Sequence, residues 1–268
     1  MSVKRKDGIT LHDASEFEGM RKAGKLAAEC LDYITPYVQV GVSTGELDDL
    51  MREFMTSRGA VPATLGYRGY PKSSCISINH VICHGIPDYE RKLADGDILN
   101  IDVTAILDGW YGDTSRMYYA GKPKLKAKRL CDVTYECMMR GIDVVKPGAR
   151  LGDIGAVIQE YAEKYGYSVV DMFCGHGLGR ALHDAPNVMH CGRKGTGAVL
   201  EEGMFFTIEP MINIGRPDGI ILKDGWTSVT RDKSLSAQFE HSLAVTKDGY
   251  EVFTYSPKGL DKPPYNVK

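Results

Sequence analysis

Four carboxylates in this 268-residue chain stand in apolar strand-like contexts where an unpaired negative charge is costly. Asp102 lies in Asn100-Ile101-Asp102-Val103-Thr104. Leu99, Ile101 and Val103 take one face of that run, so Asp102 shares the other with Asn100 and Thr104. If Asp108-Gly109 forms a two-residue hairpin turn, Leu107 pairs with Trp110 and Thr104 with Asp113. Asp102 and Asp113 are then diagonal neighbours on one face, about 7–8 Å apart at the backbone. Glu209, in Phe206-Thr207-Ile208-Glu209-Pro210, and Glu240, in Gln238-Phe239-Glu240-His241, have apolar neighbours and no nearby basic residue. Carboxylates gathered this closely need cations or protons between them, and two divalent ions would balance four negative charges. Three histidines accompany them. His176 lies in a glycine-rich turn, Cys174-Gly175-His176-Gly177-Leu178-Gly179; His183 follows seven residues on; His84 lies in a second Gly/Pro-bounded turn, His84-Gly85-Ile86-Pro87. No one of these seven residues is persuasive singly; as an ordered set they are. His12, His80, His190 and His241 have no supporting pattern and are read as ordinary side chains.

The elements that must position this set can be read coarsely. Ser15-Glu16-Phe17-Glu18 reads as a capping box opening a helix to about Tyr37, with Phe17, Met20, Ala23, Ala27, Leu31 and Ile34 as its apolar stripe. Ser43-x-x-Glu46 opens a second helix, stopped near Gly59. Lys124–Val145 and Arg150–Tyr165 read as a third and a fourth. Strand-like runs cover Ile98–Leu107, Trp110–Ala120, Phe205–Ile214 and Phe239–Thr246, and Asp248-Gly249 marks another hairpin turn. A shift of 107 residues overlays Gly41 on Gly148, Gly45 on Gly152, Phe54 on Tyr161, Gly59 on Gly166, Gly96 on Gly203 and Asp102 on Glu209. Each half therefore reads helix, helix, then a strand that delivers a carboxylate. Two such halves face to face would put acidic residues on both sides of a pseudo-twofold axis. The expected organisation is an extension over 1–12, one domain over 13–255 with halves 13–120 and 121–255, and a tail over 256–268 without regular structure.

Composition excludes several classes. Apolar residues make up 43%, and 33 basic residues against 35 acidic ones give a net charge of −2, which removes a global reason to expect DNA as a partner. No apolar run reaches the length of a membrane span, and the basic N-terminus has no apolar core of a secretory signal behind it. Seven cysteines, an odd number without a Cys-x-x-Cys pair, fit a reduced cytoplasmic protein better than a disulfide or structural-zinc framework.

The chain resembles the type 1 methionine aminopeptidases of the bacterial or organellar kind, in peptidase family M24. The resemblance runs from about residue 13 to 255. It rests on 65–79 (LGYRGYPKSSCISIN), 83–87 (CHGIP), 100–104 (NIDVT), 112–115 (GDTS), 174–177 (CGHG), 206–211 (FTIEPM) and 234–241 (SLSAQFEH) taken together. It implies an α+β pita-bread fold and a hydrolase with a dinuclear centre. Asp113 and Glu240 would bridge both ions, Asp102 would chelate the first, and His176 with Glu209 the second. One imidazole among carboxylates suits Co, Mn, Fe or Zn. The resemblance also implies catalytic roles for His84, His183 and Glu209, the two histidines binding substrate as well. It implies a methionine pocket of Tyr67, Tyr70, Cys75 and Trp226, with Thr64 and Leu182 at its edge. Thr64 stands where bacterial relatives often have Cys, and Leu182 where an aromatic is common, which leaves the pocket's exact shape open. Asn79, Val81 and Ser236 match a structural Na or K site of some relatives.

The implied activity is removal of the initiator methionine from nascent polypeptides with a small second residue, by a cytoplasmic monomer in transient contact with the ribosome. About 30 residues separate Glu209 from Glu240, too few for the helical insert of type 2 relatives, and the short N-terminal extension leaves no room for the zinc finger of eukaryotic cytosolic ones. Two alternatives carry the same fold. A proline-specific aminopeptidase or dipeptidase usually has an extra N-terminal domain and lacks the Tyr67/Tyr70/Trp226 set. A non-catalytic binding protein has lost metal ligands, whereas all five are present here.

Overall fold

The computed structural model describes residues 2–265. The first half comprises β1 (Val3–Lys4), β2 (Thr10–Leu11), α1 (Ala14–Ile34), α2 (Thr44–Thr56), β3 (Val61–Pro62), β4 (Cys75–Ile78), β5 (Val81–Cys83), β6 (Ile98–Leu107) and β7 (Trp110–Tyr119). The second comprises α3 (Leu125–Asp143), α4 (Leu151–Lys164), β8 (Ser168–Val169), β9 (Gly175–Gly177), β10 (Asp184–Val188), β11 (Phe205–Ile208), β12 (Met211–Asn213), β13 (Gly219–Ile221), β14 (Ser228–Thr230), β15 (Ser236–Gln238), β16 (His241–Val245) and β17 (Tyr250–Val252). The class is α+β, as expected.

Helix α1 starts two residues earlier than the Ser15 reading. Its N-cap is Asp13, whose carboxylate accepts the Ser15 N–H at 2.9 Å, while Glu16 accepts the Asp13 N–H at 3.1 Å. Asp13-x-x-Glu16 is thus the capping box. The α-helix ends at Ile34, and a 3₁₀ turn over Thr35–Tyr37 carries the chain past Pro36. The expected stripe is buried, and it joins two different cores. Ala27, Leu31 and Ile34 pack with Leu47, Met51 and Phe54 of α2 onto Leu99, Ile101 and Val103 of β6. Phe17, Met20 and Ala23 instead meet Trp110, Leu178, Phe205 and Phe253 in a cluster contributed by both halves. A separate core, built around α3 and α4, lies over Phe206, Ile208, Ile212 and Leu243.

The 107-residue repeat is present in the hydrogen bonding. The Gly41 N–H donates to Leu93 O at 2.8 Å and the Gly148 N–H to Leu200 O at 3.0 Å. The Thr44 N–H donates to Arg91 O and the Leu151 N–H to Ala198 O. The Cys30 thiol faces Met51 O, and the Cys137 thiol faces Ile158 O. Glu46 accepts the Ser43 N–H and Asp153 the Arg150 N–H, each at 2.8 Å. Gly41 and Gly148 have φ of 91° and 85°, and Gly96 and Gly203 have 92° and 90°, a left-handed backbone that favours glycine. Each pair stands 107 residues apart, so the overlay of glycines reflects two copies of one backbone plan.

The strands correct the sequence reading in two places. The β6–β7 hairpin has the expected register, Leu107 opposite Trp110 and Thr104 opposite Asp113, through Asp108 and Gly109 at φ 51° and 77°. The run Phe205–Ile214, however, is broken at Glu209-Pro210, and the strand expected from Phe239 starts only at His241, after a separate strand that ends at Gln238. β11 pairs with β16 as far as Ile208 opposite His241, and β12 pairs with β15 from Met211 opposite Gln238, in a different sheet. Pro210 has no N–H for a ladder, so the pairing stops there. The other correction concerns the glycine-rich turn at His176. Gly175–Gly177 is a strand, pairing with β10 and β11. Its glycines serve close packing: a Cβ at Gly175 would run into the Thr207 carbonyl, and one at Gly177 into that of Ala185. The tail over 256–265 has no helix or strand, as expected, but it is pinned: Ser256 Oγ donates to Asp32 at 2.7 Å and the Tyr265 hydroxyl to Met117 O at 2.8 Å. The expected tail's last residues, 266–268, lie outside the described residues, as does Met1 of the expected extension.

Candidate metal centre

The chain between β15 and β16 meets the β6–β7 hairpin at a bridge between Ser115 and Glu240. The Glu240 N–H donates to Ser115 O at 3.0 Å, Thr114 Oγ1 to Glu240 O at 2.7 Å, and Ser242 Oγ to Asp113 O at 2.6 Å. Asn100 Nδ2 reaches Ser115 Oγ and Gln238 O from the same side. These bonds weld one half to the other at the residues that carry acid groups. The bends at Glu209-Pro210 and Phe239-Glu240 turn both glutamates out of the ladders and into the space before Asp102 and Asp113.

Asp102, Asp113, His176, Glu209 and Glu240 all line one cavity, together with Thr64, Tyr67, Tyr70, Cys75, His84, Thr104, Leu182, His183 and Trp226. Every residue expected in the metal, catalytic or methionine-binding sets is therefore brought to one place. Asn79, Val81 and Ser236 are not in it. They lie at the β5 end: Asn79 has a left-handed φ of 56°, its carbonyl accepts the Ser236 N–H at 2.8 Å, and Ser236 Oγ is buried without a partner.

The cluster has the chemistry of a cation site. Ligand atoms of Asp113, His176 and Glu240 lie within 4.8 Å of one another. His176 Nδ1 lies 3.0 Å from Gly177 O, which leaves Nε2 aimed at Asp113 Oδ2 (3.5 Å) and Glu209 Oε1 (3.6 Å). Among the described residues no lysine or arginine forms an ion pair with any of the four carboxylates, and Asp102 Oδ1 is buried without a partner. Burial first, then the charges of Asp113 and Glu209, push the Asp102 and Glu240 carboxyls well above the usual range. Burial also lifts Glu209 to about 7 against the pull of His176. His176 is lifted to about 9, because the hydrogen bond its ring donates to Asp113 and the charge of Glu209 outweigh its burial. Protons collect where positive charge is missing, so this donor set fits divalent cations.

The second tier of contacts includes residues the sequence did not mark. Thr207 Oγ1 accepts the His176 N–H at 3.0 Å and donates to Glu209 Oε1 at 2.7 Å, tying two of the five donors together. His190, read as ordinary, is fully buried and its Nε2 accepts the Glu209 N–H at 3.0 Å. Nothing in its local sequence announces this contact. His241 also lies in the interior, with Nδ1 2.9 Å from Thr254 Oγ1. His84 and His183 occupy left-handed backbone, φ 55° and 56°, a conformation side chains other than glycine adopt at an energetic penalty. His183 Nδ1 lies 2.7 Å from the Tyr67 hydroxyl, and burial, with His176 nearby, lowers its pKa to about 4. Burial lowers that of His84 as well, against the opposing charge of Asp113. The apolar wall is made by Tyr70, edge-on to Trp226 with centroids 5.1 Å apart, and by Cys75, opposite Asp102 across β4 and β6. The Tyr70 hydroxyl shares its one proton between Ser74 O at 3.0 Å and Gly85 O at 3.1 Å, which fixes the ring against the cavity.

Fold and site together define a two-halved metallopeptidase. Residues 18–247 match the profile of metallopeptidase family M24, and the chain belongs to that family. Methionine aminopeptidase of Rickettsia prowazekii is 62% identical over 258 residues, covering 96% of this chain and 99% of that protein. Its crystal structure superposes with a TM-score of 0.91 over 92% of this chain and 99% of that one. Methionine aminopeptidase of Escherichia coli K12 is 52% identical over 92% of this chain and 94% of that protein. The Thermotoga maritima enzyme structure, at 39% identity, covers 92% of this chain and 99% of that one with a TM-score of 0.90. Within family M24 the chain groups with the methionine aminopeptidases, and its fold is theirs, the pita-bread arrangement expected from the motifs.

Proposed function

We propose that the chain hydrolyses the first peptide bond of polypeptides that begin with methionine. The observation that carries this reading is the shared cavity: five buried or half-buried metal-type donors line it together with Tyr67, Tyr70, Cys75 and Trp226. Asp102, Asp113, His176, Glu209 and Glu240 would hold two divalent ions, drawn from Co, Mn, Fe or Zn. When bound, the ions supply Lewis acidity and lower the pKa of water from 15.7 toward about 7.

The chain's own groups do the rest. Glu209, next to the cations, accepts the proton of the attacking water and passes it to the departing amide nitrogen. The Tyr67 hydroxyl donates to His183 Nδ1, which leaves the Nε2–H of a neutral imidazole free to donate to the substrate carbonyl. His84, beside Trp226 in the same cavity, offers a second hydrogen bond. Aromatic faces and the Cys75 sulfur suit a thioether. The four carboxylates attract the free α-amine, which accounts for action at N-termini. The cleft beside Met172, Phe173, Cys174 and Gln238 lets the rest of the polypeptide leave.

The same reading makes nascent polypeptides the substrates of a cytoplasmic monomer in transient contact with the ribosome, with a small second residue preferred. No helix among the described residues is long and apolar enough to cross a membrane. It also gives Asn79, Val81 and Ser236 to a Na or K ion, a role supported by the unpartnered Ser236 hydroxyl. The test is a comparison of Met-Ala-Ser and Ala-Pro-Ser peptides with Mn(II)-loaded enzyme. Release of methionine alone supports the reading; preference for Ala-Pro would move the chain to a proline-specific activity, and no hydrolysis of either to a binding role.

A further inference from the structure

Glu209 stands where the chain leaves one sheet for another. Ile208 is the last ladder residue of β11, and Met211 the first of β12. Pro210 has no N–H, and the Glu209 N–H belongs to neither ladder. Buried backbone amides are rarely left unpaired. This one donates to His190 Nε2 at 3.0 Å. Accepting at Nε2 places the ring proton on Nδ1, and Nδ1 is buried with no partner. The ring is thus held by the fold around it and not by bonds at both ends. Helix α4 supplies that hold. A Cβ at Gly155 would stand 2.6 Å from Cys191 O and 2.8 Å from Met189 O, so the segment carrying His190 lies flush on the helix. The far end of Glu209 is gripped separately, by Thr207 Oγ1 at 2.7 Å and Gln238 Nε2 at 3.3 Å.

We propose that His190 is a positioning residue for Glu209: packed on α4, it anchors the backbone of Glu209 at the sheet break and so sets the direction in which the carboxylate enters the cavity. The role rests on the reading of Glu209 as a metal-holding, proton-carrying group. His190 touches neither the cavity nor the methionine pocket. Its hydrogen bond to the reacting groups is the one it accepts from the Glu209 N–H, and substrate affinity is not its concern.

His190→Leu removes the acceptor, and His190→Gln keeps an acceptor oxygen close to the place of Nε2. In chelated, metal-free protein, deuterium exchange at the Glu209 amide becomes faster in H190L and stays slow in H190Q. Mn(II) affinity by calorimetry falls about 10–100-fold in H190L, the range for loss of a partner behind a metal ligand, and H190Q recovers most of it. On Met-Ala-Ser, kcat of H190L falls in parallel and KM stays within about threefold. Unchanged exchange or unchanged Mn(II) affinity in H190L overturns the proposal, as does equal impairment of H190Q. Gly155→Ser, which pushes Met189 and Cys191 off α4 with His190 intact, covers the case in which H190L does not fold. A parental Mn(II) affinity in G155S contradicts the anchoring by α4. If the parent enzyme releases no methionine while the exchange and Mn(II) results hold, the reaction assignment fails and the positioning role stands.

Discussion

Replacing Arg116 by methionine tests how the ligand-bearing hairpin is held to the rest of the first half. Arg116 lies on β7 with its side chain on the face away from Asp113 and Ser115, pointing into α1. It is 1% exposed and Asp32 is 2% exposed. The guanidinium donates to Asp32 Oδ1 and to Ala28 O, the latter at 3.2 Å. Ser256 Oγ, from the tail, adds one bond to Asp32, and Asp32 Oδ2 has none. In R116M the Asp32 carboxylate keeps one hydroxyl partner and no countercharge. Removing one member of a buried pair costs about 3–5 kcal/mol, mostly the penalty of the charge left behind. At roughly 2–4 °C per kcal/mol for a chain of this size, the melting temperature should drop by about 6–20 °C. The double variant D32L/R116M removes both charges and should recover most of that loss, because a buried ion pair and apolar residues of similar volume are often close in stability. Urea unfolding of chelated protein, followed by circular dichroism, gives the three midpoints. An R116M variant within about 1 kcal/mol of the parent, or a double variant as weak as the single one, would refute the reasoning.

Three further outcomes follow from the same contacts. Of the seven free cysteines, Cys174 and Cys191 are half-buried and the others buried, with burial pushing Cys131 and Cys137 up to about 12, so a disulfide reagent at pH 8 should modify two thiols in the native protein and seven in urea. Burial, then the charge of Arg116, lowers the His241 pKa from 6.5 to about 3; its neutral ring contributes stability that is fully present above about 6.5 and is lost as pH falls toward 3, at roughly 1.4 kcal/mol per pH unit. Chelated H241N should therefore show a flatter fall in urea midpoint between pH 6.5 and 4.5 than the parent, and parallel slopes would contradict this. Asp102→Asn should lower Mn(II) affinity by more than about 100-fold, beyond the effect of an outer partner, with little change in the melting temperature of the chelated protein.

The parts of the site legible in the sequence are those fixed by local rules. Asp108-Gly109 admits a two-residue turn, and that turn alone sets the register that puts Asp102 and Asp113 on one face. The 107-residue repeat was legible because its glycines answer to backbone geometry, which both halves share. The errors have physical causes too. Asp13 and Ser15 both can cap a helix, and only the reach of Glu16 back to the Asp13 N–H decides between them. Gly175 and Gly177 looked like a turn because crowding by Thr207 and Ala185, the reason for their lack of a side chain, is a tertiary fact. Pro210 was a readable sign that the run from Phe205 could not continue in one ladder. Thr207 and His190 had no such sign, since their contacts with Glu209 arise only once the strand bends.

On the proposed function, five donors from four separate stretches of chain would hold a pair of divalent ions. Diffraction from Mn(II)-soaked crystals, with anomalous maps at the manganese edge, tests it directly. Two anomalous peaks are expected in the cavity among Asp102, Asp113, His176, Glu209 and Glu240. Saturating Mn(II) with no peak there, or with peaks only at other acidic groups, would contradict it.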